Sequence, residues 1–288
     1  MITVSAPAKV NLSLRILGKR ADGYHALESV MQLLALVDTL SIDDANTFRF
    51  TCSNATLETA DNLVVRAARL LLARCDPPRG AHIHLEKRIP VQAGLGGGSS
   101  DAATTLAALN EFWGLRLPLD ELTALAATLG SDVPFFLNGP CALVRGRGEE
   151  VTPVLHQTPG YVVLAKPAAG LSTARVYAGV RAETIAAQIP AHHLPETTAL
   201  LRALSAGRLE DIAGAMCNDL EGPALVLLPE LFLLRERMLE EGCLAVLLCG
   251  SGSALCGLCA TAAAAQHTAL MLSNDFPWTW AGEWLLFR

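Results

Sequence analysis

The sequence predicts a globular protein of two domains, each built from both strands and helices. With 288 residues the chain is long enough for one large or two modest domains with well-buried cores. Strand and helix patterns occur on both sides of a polar connector at residues 156–160, so we place the boundary there. The expected domains are residues 1–158 and 159–288.

Composition narrows the class of protein. Hydrophobic residues make up 51% and charged residues 17%, which indicates a compact chain rather than a disordered one. A formal net charge of −6 disfavours a nucleic-acid partner, although it leaves room for a basic pocket that takes a small anion. No apolar run is long enough to span a bilayer, and the first residues show no charged-then-apolar leader. We therefore expect a cytoplasmic protein without a membrane partner.

The most informative stretch is the glycine-rich run at residues 90–103. Glycines 94, 96, 97 and 98 let the backbone take positive φ and bring its N–H groups close to an anion. A strand pattern at 81–90 precedes the run, and a helix is expected after it, capped by Ser99 or Ser100. This arrangement predicts a phosphate site at a helix N-terminus. The Lys-Ser/Thr pair of a P-loop and the third glycine of a dinucleotide fingerprint are both missing.

The first half of the chain otherwise reads as strands and two further helices. Residues 3–20 alternate as a half-buried strand, with Lys9 and Asn11 on its polar face. That pair suits a polar ligand, but the pattern alone favours solvated positions. Strands are expected at 27–40 and 41–52, and helices at 61–74, capped by Asp61 or Asn62, and at 118–129, closed by Gly130. Asp132 then either caps the next helix or projects a carboxylate into the phosphate site.

The second half is expected to contain buried strands at 161–167 and 243–249, joined to helices. Ser172 or Thr173 would cap a helix that begins near residue 173, and longer helices are expected at 196–216 and 224–241. The glycine-rich bend at 250–254 is equally typical of a bulged connection between two strands and of a loop that contacts a ligand. The tryptophan-rich tail is expected to close a second sheet.

Eight cysteines in a chain of this length lie mostly in apolar runs. They are better explained as buried thiols than as a disulfide framework. Cys256 and Cys259 have metal-ligand spacing, but without a second such pair a zinc site is disfavoured.

Segments 7–12, 90–103 and 250–254, taken together in this order, resemble the GHMP kinase superfamily. Five shorter motifs narrow the resemblance to the 4-diphosphocytidyl-2-C-methyl-D-erythritol kinase family: residues 7–11, 20–25, 61–63, 94–101 and 131–134. The motif Arg-Ala-Asp-Gly-Tyr-His at 20–25 is the discriminating one, because the glycine loop by itself does not choose among sugar, homoserine and mevalonate kinases.

The resemblance implies an α+β fold with a ribosomal-S5-domain-2-like N-terminal domain, a ferredoxin-like C-terminal domain, and the active site in the cleft between them. It also implies ATP-dependent phosphorylation of the 2-hydroxyl of 4-diphosphocytidyl-2-C-methyl-D-erythritol, in the non-mevalonate route to isoprenoid precursors. ATP and Mg²⁺ are the implied cofactors. The expected partner is this small molecule, and the chain is expected to be a monomer or a weak homodimer.

Residue roles follow the family's motifs. Asp132 is the matching carboxylate that accepts or orients the reacting hydroxyl, and Lys9 orients the same hydroxyl and keeps Asp132 ionised. The implied ATP-binding residues are Gly94, Leu95, Gly96, Gly97, Gly98, Ser99 and Ser100 at the phosphates, and Asp61, Asn62, Leu63 and Lys87 near the adenine. The implied substrate-binding residues are Asn11, Tyr24, His25, Thr173 and Tyr177. The Mg²⁺ ligands are unknown, with Ser100 and Asp132 as candidates.

Other hypotheses remain open on the sequence. A homoserine or mevalonate type of GHMP kinase would have no use for Tyr24 and His25. A non-catalytic nucleotide-binding regulator would have no need for both Lys9 and Asp132. A dinucleotide-dependent oxidoreductase fits poorly because the third glycine of its fingerprint is absent.

Overall fold

The computed structural model describes residues 1–21, 23–74, 80–180 and 194–287. By their internal contacts these residues form two compact units, neither of which is continuous in sequence. Of the described residues, the first unit contains those within 1–8, 36–91 and 96–139, and the second contains those within 9–35, 92–95 and 140–288. The first two strands run through both units. The boundary expected at residue 158 stays a prediction.

The described strands are β1 (Ile2–Lys19), β2 (His25–Ala45), β3 (Arg49–Cys52), β4 (Gly80–Glu86), β5 (Cys141–Arg145), β6 (Glu150–Pro153), β7 (Tyr161–Lys166), β8 (Cys217–Asn218), β9 (Ala245–Leu248), β10 (Leu255–Cys259) and β11 (Trp278–Glu283). The described helices are α1 (Leu63–Arg74), α2 (Gly97–Phe112), α3 (Leu119–Leu129), α4 (Thr173–Ala178), α5 (Pro195–Ala206), α6 (Leu209–Ala215), α7 (Glu221–Leu227), α8 (Glu230–Glu240) and α9 (Ala262–Leu272). Two short 3₁₀ helices occupy Ala55–Leu57 and Val133–Leu137.

The larger sheet has the strand order β3-β4-β2-β1-β8, with β5 paired to β2 and β6 to β5. Strand β2 is antiparallel to β4 from Thr39 opposite Glu86 to Ala45 opposite Gly80. Strand β3 is parallel to β4, and the two-residue β8 is parallel to β1. Strands β5 and β6 form an antiparallel hairpin, with Arg145 opposite Glu150.

In the first unit, α1, α2 and α3 pack over the sheet and bury an apolar core. Its fully buried members include Ile42, Ile83, Leu71 and Leu106. The alternation of β4 places Ala81, Ile83 and Leu85 in this core. Helices α1 and α2 also pack closely against each other.

In the second unit, four antiparallel strands form a separate sheet in the order β11-β7-β10-β9. Helices α8 and α9 pack against this sheet. The tryptophan-rich tail does close it, because β11 pairs with β7 along its whole length. No helix in the described ranges is long and apolar enough to cross a membrane.

Several local predictions were wrong for identifiable reasons. The helix expected at 196–216 is two helices, because Gly207 takes a left-handed φ of 75° after α5. The helix expected at 224–241 is likewise divided, with Leu228 and Pro229 between α7 and α8. The strand expected to end near residue 40 continues to Ala45. Both faces of β1 are buried near its middle, so Lys9 and Asn11 are not solvated strand positions.

The cysteines within the described ranges are free thiols, and most of them are buried, as predicted. Cys256 and Cys259 lie on β10 in the core of the second sheet. The described residues contain no group of three or more His, Cys, Asp and Glu side chains placed to hold a metal ion.

Candidate active site

The glycine-rich loop leads directly into α2, but the helix begins earlier than predicted. Gly96 is its N-cap residue, with a left-handed φ of 71°, and Gly97 is the first helical residue. Ser99 and Ser100 therefore lie within the first turn, and neither is the cap. The first turn of a helix presents unpaired N–H groups and a positive dipole end. Because its first residues are glycines and serines, little side-chain bulk surrounds these N–H groups.

The loop requires glycine at position 94, both for its backbone conformation and for a close approach to another segment. Its φ is 75°, and a Cβ placed on it would lie 1.7 Å from the carbonyl oxygen of Cys249. The loop thus runs against the turn that follows β9. The next residue, Leu95, is also held: its carbonyl oxygen accepts a 2.9 Å hydrogen bond from the Lys9 N–H. Gly94 and Leu95 are held by backbone contacts on both sides.

Lys87 lies under the start of α2 and joins two buried carboxylates. Its ammonium donates to Asp38 Oδ2 and, over 3.0 Å, to Asp101 Oδ2. Asp38 Oδ1 also accepts hydrogen bonds from the N–H groups of Arg88 and Ile89. Burial would lower the pKa of Lys87, but Asp101 and Asp38 raise it. A Cβ at Gly97 would lie 2.8 Å from Lys87 Nζ, so this triad supports the first turn of the helix.

The triad predicts a specific dependence of stability on pH. Burial raises the pKa of Asp101 to about 7; Lys87 opposes the shift and Asp38 adds to it. With Asp101 protonated, the triad has no net charge. Because an unfolded aspartate loses its proton near pH ~4, the folded state holds one proton more between that value and pH ~7. Stability from this group is therefore present below pH ~4 and lost as pH rises through ~7.

We expect the free energy of unfolding of the wild type to fall, relative to Asp101→Asn, by up to about 4 kcal/mol between pH ~4 and pH ~8. Urea unfolding at a series of pH values measures the difference. Asp120→Asn, at an exposed site on the first turn of α3, is the control and should follow the wild type. Parallel curves for Asp101→Asn and the wild type would contradict the prediction.

Three of the residues predicted near adenine lie together at the start of α1. Asn62 caps this helix, since its Oδ1 accepts a 2.9 Å hydrogen bond from the Val64 N–H. Leu63 lies beside the glycine loop, because a Cβ at Gly98 would be 3.6 Å from its Cδ1. Asp61 is exposed in the preceding turn. The structure thus brings Leu63 and Lys87 against neighbouring glycines of the loop.

Two buried polar atoms near the start of α2 have no hydrogen-bond partner among the described residues: Ser100 Oγ and Asp101 Oδ1. Oxygen atoms of this kind suit Mg²⁺, which commonly takes one or two protein ligands together with substrate phosphates. Ser100 therefore fits its candidate role. Asp132 occupies the N-cap position of the 3₁₀ helix Val133–Leu137, but its side chain makes no capping hydrogen bond. Its carboxylate is not used as a cap.

In the second unit, Lys9 and Asn11 form a buried polar pair on β1. Lys9 Nζ donates a 2.7 Å hydrogen bond to Asn11 Oδ1, and Asn11 Nδ2 donates to Ser29 Oγ at 2.8 Å. A Cβ at Gly250 would lie 3.3 Å from Lys9 Nζ. The glycine-rich bend at 250–254 therefore contacts the pair. Lys9 belongs to the second unit and Asp132 to the first.

Four of the predicted substrate residues make three separate side-chain contacts in the second unit. The rings of His25 and Tyr177 lie 5.3 Å apart, and the Arg147 guanidinium carbon lies 5.2 Å from the centre of the exposed Tyr24 ring. Thr173 Oγ1 is hydrogen-bonded to Ser251 Oγ at 2.8 Å. Burial, with a smaller effect of Lys19, lowers the pKa of His25, so its ring is neutral near pH ~7. Asp22, in the discriminating motif, lies outside the described residues.

Comparison with known proteins decides the family. Residues 62–140 match the GHMP kinases N terminal domain, and residues 199–277 match the GHMP kinases C terminal family. Over 272 residues the chain is 42% identical to "4-diphosphocytidyl-2-C-methyl-D-erythritol kinase" of Pelotomaculum thermopropionicum, covering 93% of each chain. The chain belongs to the GHMP kinase family.

Other relatives of this GHMP kinase agree. The protein of the same printed name from Shouchella clausii is 41% identical over 89% of this chain and 85% of its own. A solved structure of "4-(cytidine 5'-diphospho)-2C-methyl-D-erythritol kinase" has a TM-score of 0.85 at 40% identity, covering 98% of this chain and 99% of the other. A homoserine kinase from Cytophaga hutchinsonii, at 19% identity and a TM-score of 0.74, shows the shared fold alone.

Sequence reasoning missed several residues that contact the predicted site of this GHMP kinase. They are Asp38 and Asp101 beside Lys87, Ser29 beside Asn11, Arg147 beside Tyr24, and Ser251 beside Thr173. Asp38 left a signal in the sequence, because it is an isolated carboxylate within an apolar strand. Such a residue is buried only with a partner. Asp101 and Ser251 lie within segments 94–101 and 250–254, but nothing local pointed to their contacts with Lys87 and Thr173. Ser29 and Arg147 are brought to the site by tertiary contacts alone.

Proposed function

We propose that this GHMP kinase transfers the γ-phosphoryl group of ATP to the 2-hydroxyl of 4-diphosphocytidyl-2-C-methyl-D-erythritol, giving the 2-phosphate and ADP. The reaction would be a step of the methylerythritol phosphate route to isoprenoid precursors. The observation that carries the proposal is the identity of 39–42% to relatives named for this kinase, over most of the chain. The aromatic group around His25 supports the choice of a cytidine-containing substrate.

Catalysis of phosphoryl transfer depends mainly on positioning the reacting groups and on stabilising negative charge. The transition state of phosphoryl transfer is loose and spreads negative charge over the transferred oxygens. In the proposal, the N–H groups of residues 94–100 hold the β- and γ-phosphates at the open end of α2. Mg²⁺, when bound, neutralises phosphate charge, and Ser100 and Asp132 are the residues proposed to hold it.

The acceptor hydroxyl needs a group that orients it and takes its proton. We assign this role to the Asp132 carboxylate, which lies in the family motif at residues 131–134. Lys9 is proposed to orient the hydroxyl. Because Asn11 Oδ1 accepts from Lys9 Nζ and Asn11 Nδ2 donates to Ser29, the direction of the ammonium is fixed from one side.

The second unit supplies the groups proposed to bind the cytidine and diphosphate: Asn11, Tyr24, His25, Thr173 and Tyr177. A neutral His25 ring tilted by 34° against Tyr177 offers an aromatic surface of the kind on which a pyrimidine can stack. Arg147, over the Tyr24 ring, adds a positive charge suited to a diphosphate.

An ADP-release assay with ATP and Mg²⁺ tests the proposal. The cytidylyl methylerythritol, homoserine and mevalonate are offered separately, and we expect turnover with the first alone. Turnover of homoserine or mevalonate instead would keep the family and overturn the substrate. Tight ATP binding without turnover of any acceptor would favour the non-catalytic regulator.

Removing the His25 ring tests the binding surface. We expect His25→Ala to raise the KM for the cytidylyl substrate by about tenfold or more, corresponding to the loss of about 1.4 kcal/mol of stacking, with little change in the KM for ATP. His267→Ala, at an exposed site on α9, is the matched control. Equal KM values for His25→Ala and the wild type would contradict the proposed role.

We further propose that the enzyme acts in the cytoplasm, as a monomer or weak homodimer, and binds no nucleic acid. The net charge of −6 supports the last point, because nucleic-acid binding needs a basic surface.

A further inference from the structure

The segment Asn218-Asp-Leu-Glu221 runs from the end of β8 to the first residue of α7. No motif in the sequence assigns it a function. In the structure, three of its side chains accept or donate hydrogen bonds to backbone groups of β1, β9 and the turn after β9. We propose that Asn218 is a positioning residue for Lys9, acting through Gly250. The inference rests on the proposed role of Lys9 in phosphoryl transfer.

Asn218 holds the turn that follows β9 by two hydrogen bonds. Its Nδ2 donates to the carbonyl oxygen of Leu248 and to that of Gly250, each over 2.8 Å. Its Oδ1 accepts a 2.9 Å bond from the Leu220 N–H. Both ends of the amide are therefore used, and only one orientation of the side chain satisfies all three backbone groups.

Gly250 in turn lies directly against the catalytic lysine. A Cβ placed on it would be 3.3 Å from Lys9 Nζ and 3.5 Å from Asn11 Oδ1, and its φ is 51°. The backbone of Gly250 thus forms part of the wall that confines the Lys9 ammonium. A displacement of this turn would therefore change the space around the ammonium.

The strand that carries Lys9 is also paired with the strand that carries Asn218. Strand β8 is parallel to β1, with Leu14 opposite Asn218, and the Asp219 N–H donates to the Leu14 carbonyl oxygen over 2.9 Å. Asp219 Oδ2 accepts a 2.7 Å bond from the Ile16 N–H. The contacts therefore close a circuit from β1 through Asn218 and Gly250 back to Lys9. This circuit fixes the distance between the turn and the lysine.

A second carboxylate of the segment fixes the same strand end. Glu221 Oε2 accepts a 3.1 Å bond from the Leu248 N–H, and its Oε1 pairs with Arg235 Nε at 3.2 Å. Leu248 is therefore bonded by both Asn218 and Glu221. Of these two residues, only Asn218 is hydrogen-bonded to Gly250 as well. Asn218 is therefore the residue to test.

Asn218→Asp tests the proposal with almost no change in shape. The aspartate keeps the acceptor for the Leu220 N–H but turns an oxygen toward two carbonyl oxygens, so the hold on Gly250 is lost. We expect kcat to fall by roughly 10- to 100-fold, as for a displaced catalytic group, while the KM for ATP changes by less than about threefold. Asn110→Asp is the matched control, because Asn110 Nδ2 donates to a carbonyl oxygen, that of Leu117, over 3.0 Å in the first unit.

A double-mutant cycle separates positioning from a structural role. If Asn218 acts through Lys9, adding Asn218→Asp to Lys9→Ala should cost less than about twofold in kcat beyond Lys9→Ala alone. Additive losses, or an unchanged kcat in Asn218→Asp, would overturn the inference. If Asn218→Asp does not fold, Asn218→Ala, which removes the bonds without adding a charge, takes its place in the cycle.

The cycle uses whichever acceptor the wild type phosphorylates, so an error in the proposed substrate does not affect its outcome. An unimpaired Lys9→Ala would overturn the proposed role of Lys9, and with it the positioning role of Asn218. An impaired Lys9→Ala with an active Asn218→Asp would overturn the inference alone.

Discussion

Asp132→Asn should lower kcat by about 10²- to 10⁴-fold, the range in which a positioned acid or base contributes to catalysis. Asparagine keeps the size of the side chain but loses its charge and its ability to accept the proton of the hydroxyl. Because asparagine and aspartate have the same shape and rank equally as N-cap residues, the free energy of unfolding should change by less than about 1 kcal/mol. ADP release at saturating substrates and urea unfolding measure the two quantities.

The control for this variant is Asp120→Asn, which makes the same chemical change at an exposed position on α3. It should retain the wild-type kcat. A loss of stability of about 1 kcal/mol or more in Asp132→Asn, with kcat retained, would assign Asp132 a structural role instead.

Gly94→Ala is expected to abolish measurable activity and to destabilise the second unit. The new Cβ would meet the Cys249 carbonyl oxygen at 1.7 Å and the Gly252 nitrogen at 3.0 Å, so the loop or the turn after β9 must move. A left-handed φ with a Cβ costs about 1–2 kcal/mol, and overpacking adds about 1–3 kcal/mol. We expect a loss of about 3 kcal/mol in the free energy of unfolding, measured by urea, together with a fall in kcat of more than about 100-fold.

Gly114→Ala separates the two causes. Gly114 also has a left-handed φ, 66°, but a Cβ there would meet no atom within 4 Å. This variant should lose about 1–2 kcal/mol and keep its activity. If both variants lose the same free energy and both remain active, the approach of Gly94 to the turn has no functional importance.

Much of the candidate site could be predicted from local sequence, although its assignment to function stays a proposal. The glycines at 94–98 predicted a phosphate loop before a helix, and the structure has a loop leading into α2 at Gly97. Asn62 caps α1 as its residue type suggests. Gly130 does end α3, but with an extended φ of 175° that does not require glycine, rather than in the left-handed conformation typical of a C′ glycine. The N-terminus of α2 was misplaced because serine is usually a stronger N-cap signal than glycine, whereas here Gly96 takes the left-handed conformation that precedes the helix.

The surroundings of Lys87 could be predicted only in part from the local sequence. Its place near the glycine loop was predicted, but its two carboxylate partners come from positions 49 residues before it and 14 residues after it. Pairing across such distances depends on how β2, β4 and α2 pack, and no short pattern encodes that packing. For the same reason the burial of Lys9 and Asn11 was not foreseen, since a strand's alternation does not say what covers its second face.

What the sequence determined by itself was the local structure that single residues enforce, together with the family: the glycine turn, the helix caps, the alternating strands and the ordered motifs. What only the tertiary structure decided was which distant side chains and turns meet, including Asp38 with Lys87 and Gly250 with Lys9. The physical reason is that backbone preferences act over only a few residues. A buried charge meets its partner, and a glycine comes close to another segment's backbone, only when the whole sheet has assembled.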